Sequence, residues 1–265
     1  MAKGGVRRRR GASWGFAVAL IVGGFLFYQS GRESSQPAAT NPSVSAPQAI
    51  KSKWPFAQSS GETPAAPREF DPANIIKRNY YFVFDASGSM KDRKCSGHER
   101  KIEVAKRALI AFAGKVPADA NLGLSVFDER GIRQLLALGP IDQATLAGAV
   151  AQIRAGGGTP LGEAIRLGYR ALTQQAAGQL GYGEYHLVVV TDGEATGEDP
   201  RIAVDQLIAD SPVVLHTIGF CIGDDHSLNQ PGRTVYRAAD NPEALAQGLS
   251  DVLAEAPSFD VARFK

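Results

Sequence analysis

From position 79 onward, short runs of aromatic and β-branched residues alternate with stretches whose apolar residues return every three or four positions. The first pattern suits a strand buried on both faces, the second a helix that lays one stripe on a sheet. Residues 80–84, 122–127, 133–138, 185–191, 213–219 and 235–237 read as strands, and 185–191 (Tyr-His-Leu-Val-Val-Val-Thr) is the most β-branched of them. Residues 99–115, 142–154, 160–177, 200–209 and 242–253 read as helices, with Ile102, Ala105, Leu109 and Phe112 marking the stripe of the first. Asp128-Glu-Arg-Gly131 joins two of the strands by a hairpin-like turn. Strand and helix in turn over residues 79–255 predict an α/β fold, a doubly wound and mostly parallel open sheet flanked by helices, Rossmann-like in layout.

The preceding residues differ in composition. Residues 1–10 hold five cations and no acid, whereas the rest of the 265-residue chain holds 24 basic and 27 acidic residues. A mildly acidic body argues against nucleic acid as a partner, because phosphate binding needs cations on the folded surface. Residues 11–31 form an uncharged stretch of 21 between Arg10 and Arg32, with Trp14 and Tyr28 near its ends. About 20 residues of helix span the ~30 Å hydrocarbon layer, so this is a candidate transmembrane signal-anchor. Arg7 to Arg10 would hold the head in the cytoplasm and send the body outside, periplasmic or extracellular. A cleaved secretory signal is the alternative, but Tyr28-Gln-Ser-Gly offers no small-x-small cleavage pair. Residues 32–78 carry seven of the 15 prolines among Ser, Ala, Gln and Thr. They read as an extended tether that reaches roughly 140 Å at ~3.1 Å per residue. Trp54-Pro-Phe56 interrupts that composition and reads as a hydrophobic tack onto the body. Residues 256–265 remain as a tail.

In an open α/β sheet, ligands settle outside the carboxyl ends of the strands. Three such places carry oxygen: Asp85-Ala-Ser87-Gly-Ser89-Met90 after the first strand, Gly156-Gly-Gly-Thr159-Pro160 before the third helix, and Thr191-Asp192-Gly193-Glu194 after the central strand. Asp85, Ser87, Ser89, Thr159 and Asp192 make a set of two carboxylates and three hydroxyls without Cys or His. That inventory suits a hard cation, Mg²⁺ first and Mn²⁺ or Ca²⁺ as alternatives. Each fragment also has a plain structural reading. Ser87 and Ser89 can shape a turn, Thr159 before Pro160 can cap a helix, and Asp192-Gly193 can be a turn dipeptide.

Taken together, Asp85-x-Ser87-x-Ser89, Thr159 in its Gly-rich turn and Asp192-Gly193 resemble the metal-ion-dependent adhesion site of von Willebrand factor type A (VWA) domains. The resemblance implies that Ser87 and Ser89 ligate the metal directly. It implies that Thr159 and Asp192 do so directly or through water, and that Asp85 holds the shell. It also implies a coordination position left for an Asp or Glu of a protein partner, which fits the electrophilicity of a divalent ion with few protein charges around it. The function so implied is that of a membrane-tethered binding module, with a scaffold or assembly subunit of a cell-envelope complex, or a regulatory partner of a ring ATPase, as alternatives.

Enzymatic motifs fail at identifiable positions. A haloacid-dehalogenase-type phosphatase needs Asp where Ser87 stands, and Asp85 replaces the first Gly of a nucleophile elbow. No phosphate-binding loop occurs, and Gly156-Gly-Gly158 lacks the third Gly of the dinucleotide fingerprint. His98, His186, His216 and His226 show no paired ligand spacing, and Asp224-Asp225-His226 reads as a solvated acidic loop. Cys95 and Cys221 fall at the same end of the predicted sheet. An exported body permits a disulfide between them, while two buried thiols or an intermolecular role stay open.

Overall fold

The computed structural model describes residues 54–55 and 74–254. The predicted head, the 11–31 anchor, most of the 32–78 linker and the 256–265 tail lie outside them. Among the described residues no helix is long and apolar enough to cross a membrane.

The predicted elements occur in their expected order: β1 (Arg78–Asp85), α1 (Lys101–Ala113), β2 (Asn121–Asp128), β3 (Gly131–Pro140), α2 (Gln143–Ala151), α3 (Leu161–Gly178), β4 (Glu184–Thr191), α4 (Pro200–Asp210), β5 (Val214–Phe220), β6 (Val235–Ala239) and α5 (Pro242–Ala254). A 3-10 turn, Gly88–Lys91, has no predicted counterpart. The six strands form one sheet in the order β3-β2-β1-β4-β5-β6. All neighbours are parallel except β2 and β3, which pair antiparallel through the predicted turn, with Asp128 opposite Gly131.

The chain winds outward from β1 in both directions, and side-chain alternation along β1 explains the two layers of helix. Tyr80, Phe82 and Phe84 face one core with Ile102, Leu109 and Phe112 of α1, Leu146 of α2 and Leu245 and Leu249 of α5. Tyr81 and Val83 face the other with Ile165 and Leu172 of α3, Leu187 and Val189 of β4, and Val204 and Leu207 of α4. Burying a large apolar side chain in this way contributes about 1.5–3 kcal/mol, so a strand buried on both faces anchors the sheet. Gly168 lets α3 come close, since a Cβ there would lie 2.5 Å from Leu187 Cδ1. Trp54 acts as the predicted tack, its ring centroid 6.0 Å from that of Tyr169 and 5.4 Å from that of Tyr185.

Candidate metal centre

β1 and β4 are neighbours, so Asp85 and Asp192 leave the sheet side by side at its carboxyl end. The two strand ends are stitched together by side chains. Asp85 accepts from Ser87 N–H on one oxygen (2.7 Å) and from the Thr191 hydroxyl on the other (2.6 Å). Ser89 Oγ lies 3.0 Å from Ser87 Oγ and donates to Asp192 Oδ1 at 2.6 Å. Asp85 and Ser87 are fully buried, Asp192 and Thr159 nearly so, and Ser89 is half-buried.

The Gly-rich turn docks on the same loop through its backbone. Gly156 N–H donates to Ala86 O (2.7 Å), and Gly88 N–H donates to Gly157 O (3.0 Å). Gly157 has φ +82°, and a Cβ there would meet Asp128 O at 2.8 Å, so only glycine passes this point. Thr159 is held from the far side: its N–H donates to Thr196 Oγ1 (2.8 Å), and its carbonyl accepts from Thr196 N–H (2.9 Å). The structure thus draws the loops of Asp85, Ser87, Ser89, Thr159 and Asp192 to one end of the sheet.

Of the plain structural readings, the Thr159 cap fails, while Ser87 and Ser89 do shape a turn, their carbonyls accepting from Met90 N–H and Asp92 N–H. Pro160, not Thr159, is the N-cap residue of α3, with no side-chain cap. Ser87 precedes the 3-10 turn but its side chain does not cap it. The solvated reading of Asp224-Asp225-His226 is corrected at its histidine, which is buried. His226 pairs through Nε2 with Gly193 O (3.1 Å), accepts Leu228 N–H on Nδ1 (3.0 Å), and stacks on Tyr236. The loop after β5 is thereby fastened to the segment that follows Asp192. Glu194 strengthens that tie by accepting from Ser227 N–H (2.9 Å) and its hydroxyl (2.6 Å). Cys95 and Cys221 form a disulfide with Cα atoms 6.0 Å apart, which joins the loop after Ser89 to the end of β5.

The donor set fits a hard divalent cation. Burial first, and the charge of Asp192 second, push the Asp85 carboxyl up to about 6, against hydrogen bonds from Thr191 and Ser87. A buried carboxyl pushed up by desolvation and by a neighbouring carboxylate marks a place that gains from a cation. Hydroxyls supply much of the remaining oxygen, and among the described residues no group of three or more His, Cys, Asp and Glu is placed to hold a metal. Sequence reasoning missed two residues here. Asp128 ends β2 beside the Gly-rich turn, but the Arg133 guanidinium takes both its oxygens, one at 2.6 Å. Lys101 Nζ lies 2.8 Å from Asp192 Oδ2. Lys101 was not legible beforehand, because its place at the first position of α1 depends on a helix start that the sequence put at Glu99.

Comparison with known proteins agrees with this architecture. The family model of the von Willebrand factor type A domain matches residues 79–248, and the chain belongs to that family. YwmD of Bacillus subtilis, an uncharacterized protein, is 29% identical over 160 residues, covering 54% of this chain and 67% of YwmD. A von Willebrand factor type A structure from Catenulispora acidiphila superposes with a TM-score of 0.54 at 20% identity, covering 68% of this chain and 42% of that one. The pilus adhesin SpaC of Lactobacillus rhamnosus GG, in its open conformation, gives 0.52 at 16% identity, covering 68% of this chain and 30% of SpaC. Because the similarity spans under half of either solved chain, it carries the fold and nothing of their whole-protein roles.

Proposed function

We propose that this protein is an exported, membrane-tethered VWA binding module that engages a protein partner through a divalent cation, Mg²⁺ by preference. VWA domains are in general interaction modules and not enzymes, and a pilus adhesin is among the structural neighbours. The observation that carries the proposal is the hydrogen-bonded chain from Asp85 through Ser87 and Ser89 to Asp192, with the Thr159 turn docked on the same loop. Bound there, the cation supplies a positive, Lewis-acidic centre that an Asp or Glu of the partner completes.

The protein's own residues would do the positioning. Thr191 and the Ser87 backbone orient Asp85, Ser89 orients Asp192, and Thr196 fixes the Thr159 backbone. The half-buried Ser89 and the exposed Gly157 and Gly158 leave an approach from solvent. The tether reading rests on the uncharged 11–31 segment behind four arginines, and the disulfide suits an oxidising compartment.

Crosslinking of the full chain in its native membrane, with Mg²⁺ or with chelator, tests the proposal. Adducts to a partner protein should form in Mg²⁺ and vanish in chelator and in Ser89→Ala. Adducts indifferent to the metal would transfer the function to another surface and favour the scaffold alternative.

A further inference from the structure

Lys101 stands where two physical rules disfavour it. It opens α1, where aligned peptide dipoles place partial positive charge, and it follows Arg100, an N-cap residue with no side-chain cap. It is also buried, at 4% exposure, and a lysine is seldom buried without a partner. One contact offsets both costs: the ammonium on Asp192 Oδ2 at 2.8 Å, with side-chain exposures of 5% and 0%. The position is set by the backbone as well, because Lys101 N–H donates to Asp92 O (2.8 Å) in the loop that follows Ser89. Ser89 occupies the other Asp192 oxygen. The charges buried around the site are therefore Asp85, Asp192 and Lys101, since the nearby Asp128 is neutralised by Arg133.

We propose that Lys101 is the internal counter-ion that sets the charge of the metal centre, an inference that rests on the metal-site reading above. Two carboxylates and one ammonium leave the empty centre at one net negative charge. A divalent cation takes it to one net positive charge, and a carboxylate arriving from outside restores neutrality. Without Lys101 the two internal acids would neutralise the cation by themselves. Lys101 thus weakens the hold on the metal and strengthens the demand for a partner's acid, because like charges repel strongly where water is excluded. The same ammonium keeps Asp192 paired when no metal is bound, which lets the fold stand in either state.

The test compares wild type, Lys101→Met and Lys101→Arg in the full detergent-solubilised chain at neutral pH. Free Mn²⁺ is followed by its paramagnetic resonance, and acetate serves as the probe carboxylate, read by relaxation of its methyl protons by bound Mn²⁺. Lys101→Met should bind Mn²⁺ at least tenfold more tightly, lose most of the acetate relaxation, and be less stable than wild type without metal. Lys101→Arg, which keeps the charge, should stay within a few-fold of wild type. If Lys101→Met fails to fold alone, Mn²⁺ should restore the fold, and failure to do so overturns the proposal. Mn²⁺ binding that Asp85→Asn abolishes but Lys101→Met leaves unchanged or weaker removes this inference and spares the metal site. Absence of Mn²⁺ binding in both wild type and Lys101→Met removes the metal-site reading and this inference together.

Discussion

At the amino ends of the parallel strands, Asn79 donates to Gln179 Oε1 (2.8 Å) and to Glu184 O (3.0 Å) and accepts from Asn121 (2.9 Å). Beside them His186 Nδ1 and His216 Nε2 lie 3.1 Å apart, with His186 stacked on Tyr80. At the carboxyl ends of the same strands, Asp85, Asp192 and Lys101 are buried with their charges. Both ends bury polar groups, but the amino end does so with amides and with imidazoles kept neutral. Burial with the charges of His216 and Arg78 pushes His186 down to about 3, and burial with that of Arg237 pushes His216 down to about 4. Neutral groups that hydrogen-bond one another specify register and stop there. An unbalanced pair of acids asks for something from outside. The two ends thus differ in charge, with neutral polar groups at one and buried charged groups at the other.

The comparison is broken most completely at the carboxyl end. Asp85→Ala or Asp192→Ala should abolish chelator-sensitive partner capture while urea unfolding of the full chain stays cooperative. Loss of cooperative folding instead would make that end structural too. Next in size is the disulfide, which bridges residues 126 apart. Replacing both cysteines by serine should cost about 4 kcal/mol in urea denaturation if the loop-entropy account holds, and a loss under ~1 kcal/mol would show that the β5 loop is held by other contacts.

Acid should then act on the amino end. Between the folded values of His186 and His216 and their ordinary 6.5, the unfolded chain binds more protons than the native one, so stability falls as pH drops below 6.5. The loss should approach about 3 kcal/mol for each imidazole by pH 4, at roughly 1.4 kcal/mol per pH unit, measured by urea midpoints across pH. The double variant His186→Leu/His216→Leu should flatten that acid limb, and an unchanged limb would assign it to carboxylates elsewhere. The smallest effect belongs to Trp54→Ala, which removes one stacked and one edge contact. About 1 kcal/mol is expected, with earlier proteolysis near residue 54. Cutting there at the wild-type rate would mean that the tether is not fastened by this ring.

Much of this molecule was legible beforehand, for a reason that varies by residue. β1 and β4 were readable because a strand buried on both faces needs an unbroken apolar run, and Tyr80–Phe84 and Leu187–Val190 supply one. The oxygen set was readable because Asp85, Ser87 and Ser89 share one tight loop. Element ends were less so: α1 begins at Lys101 and not at Glu99, since Lys101 N–H is taken by Asp92 O. Thr196 and Thr191 were not readable, because a threonine in a loop or a strand looks the same whether or not it holds another residue's backbone or carboxylate. The bridge between Cys95 and Cys221 had to await the loops that carry them.

Periodicity alone determined the strand–helix succession, because it depends on neighbours a few positions away; the family and the five candidate oxygen-bearing residues came from motif resemblance. The pairing of Asp192 with Lys101, separated by 91 residues, was decided by tertiary structure. Charge balance at a buried site is a sum over groups brought together from several segments, and no local pattern records it. That sum distinguishes Asp128, whose two oxygens Arg133 takes, from Asp85 and Asp192, two buried carboxylates beside one buried ammonium.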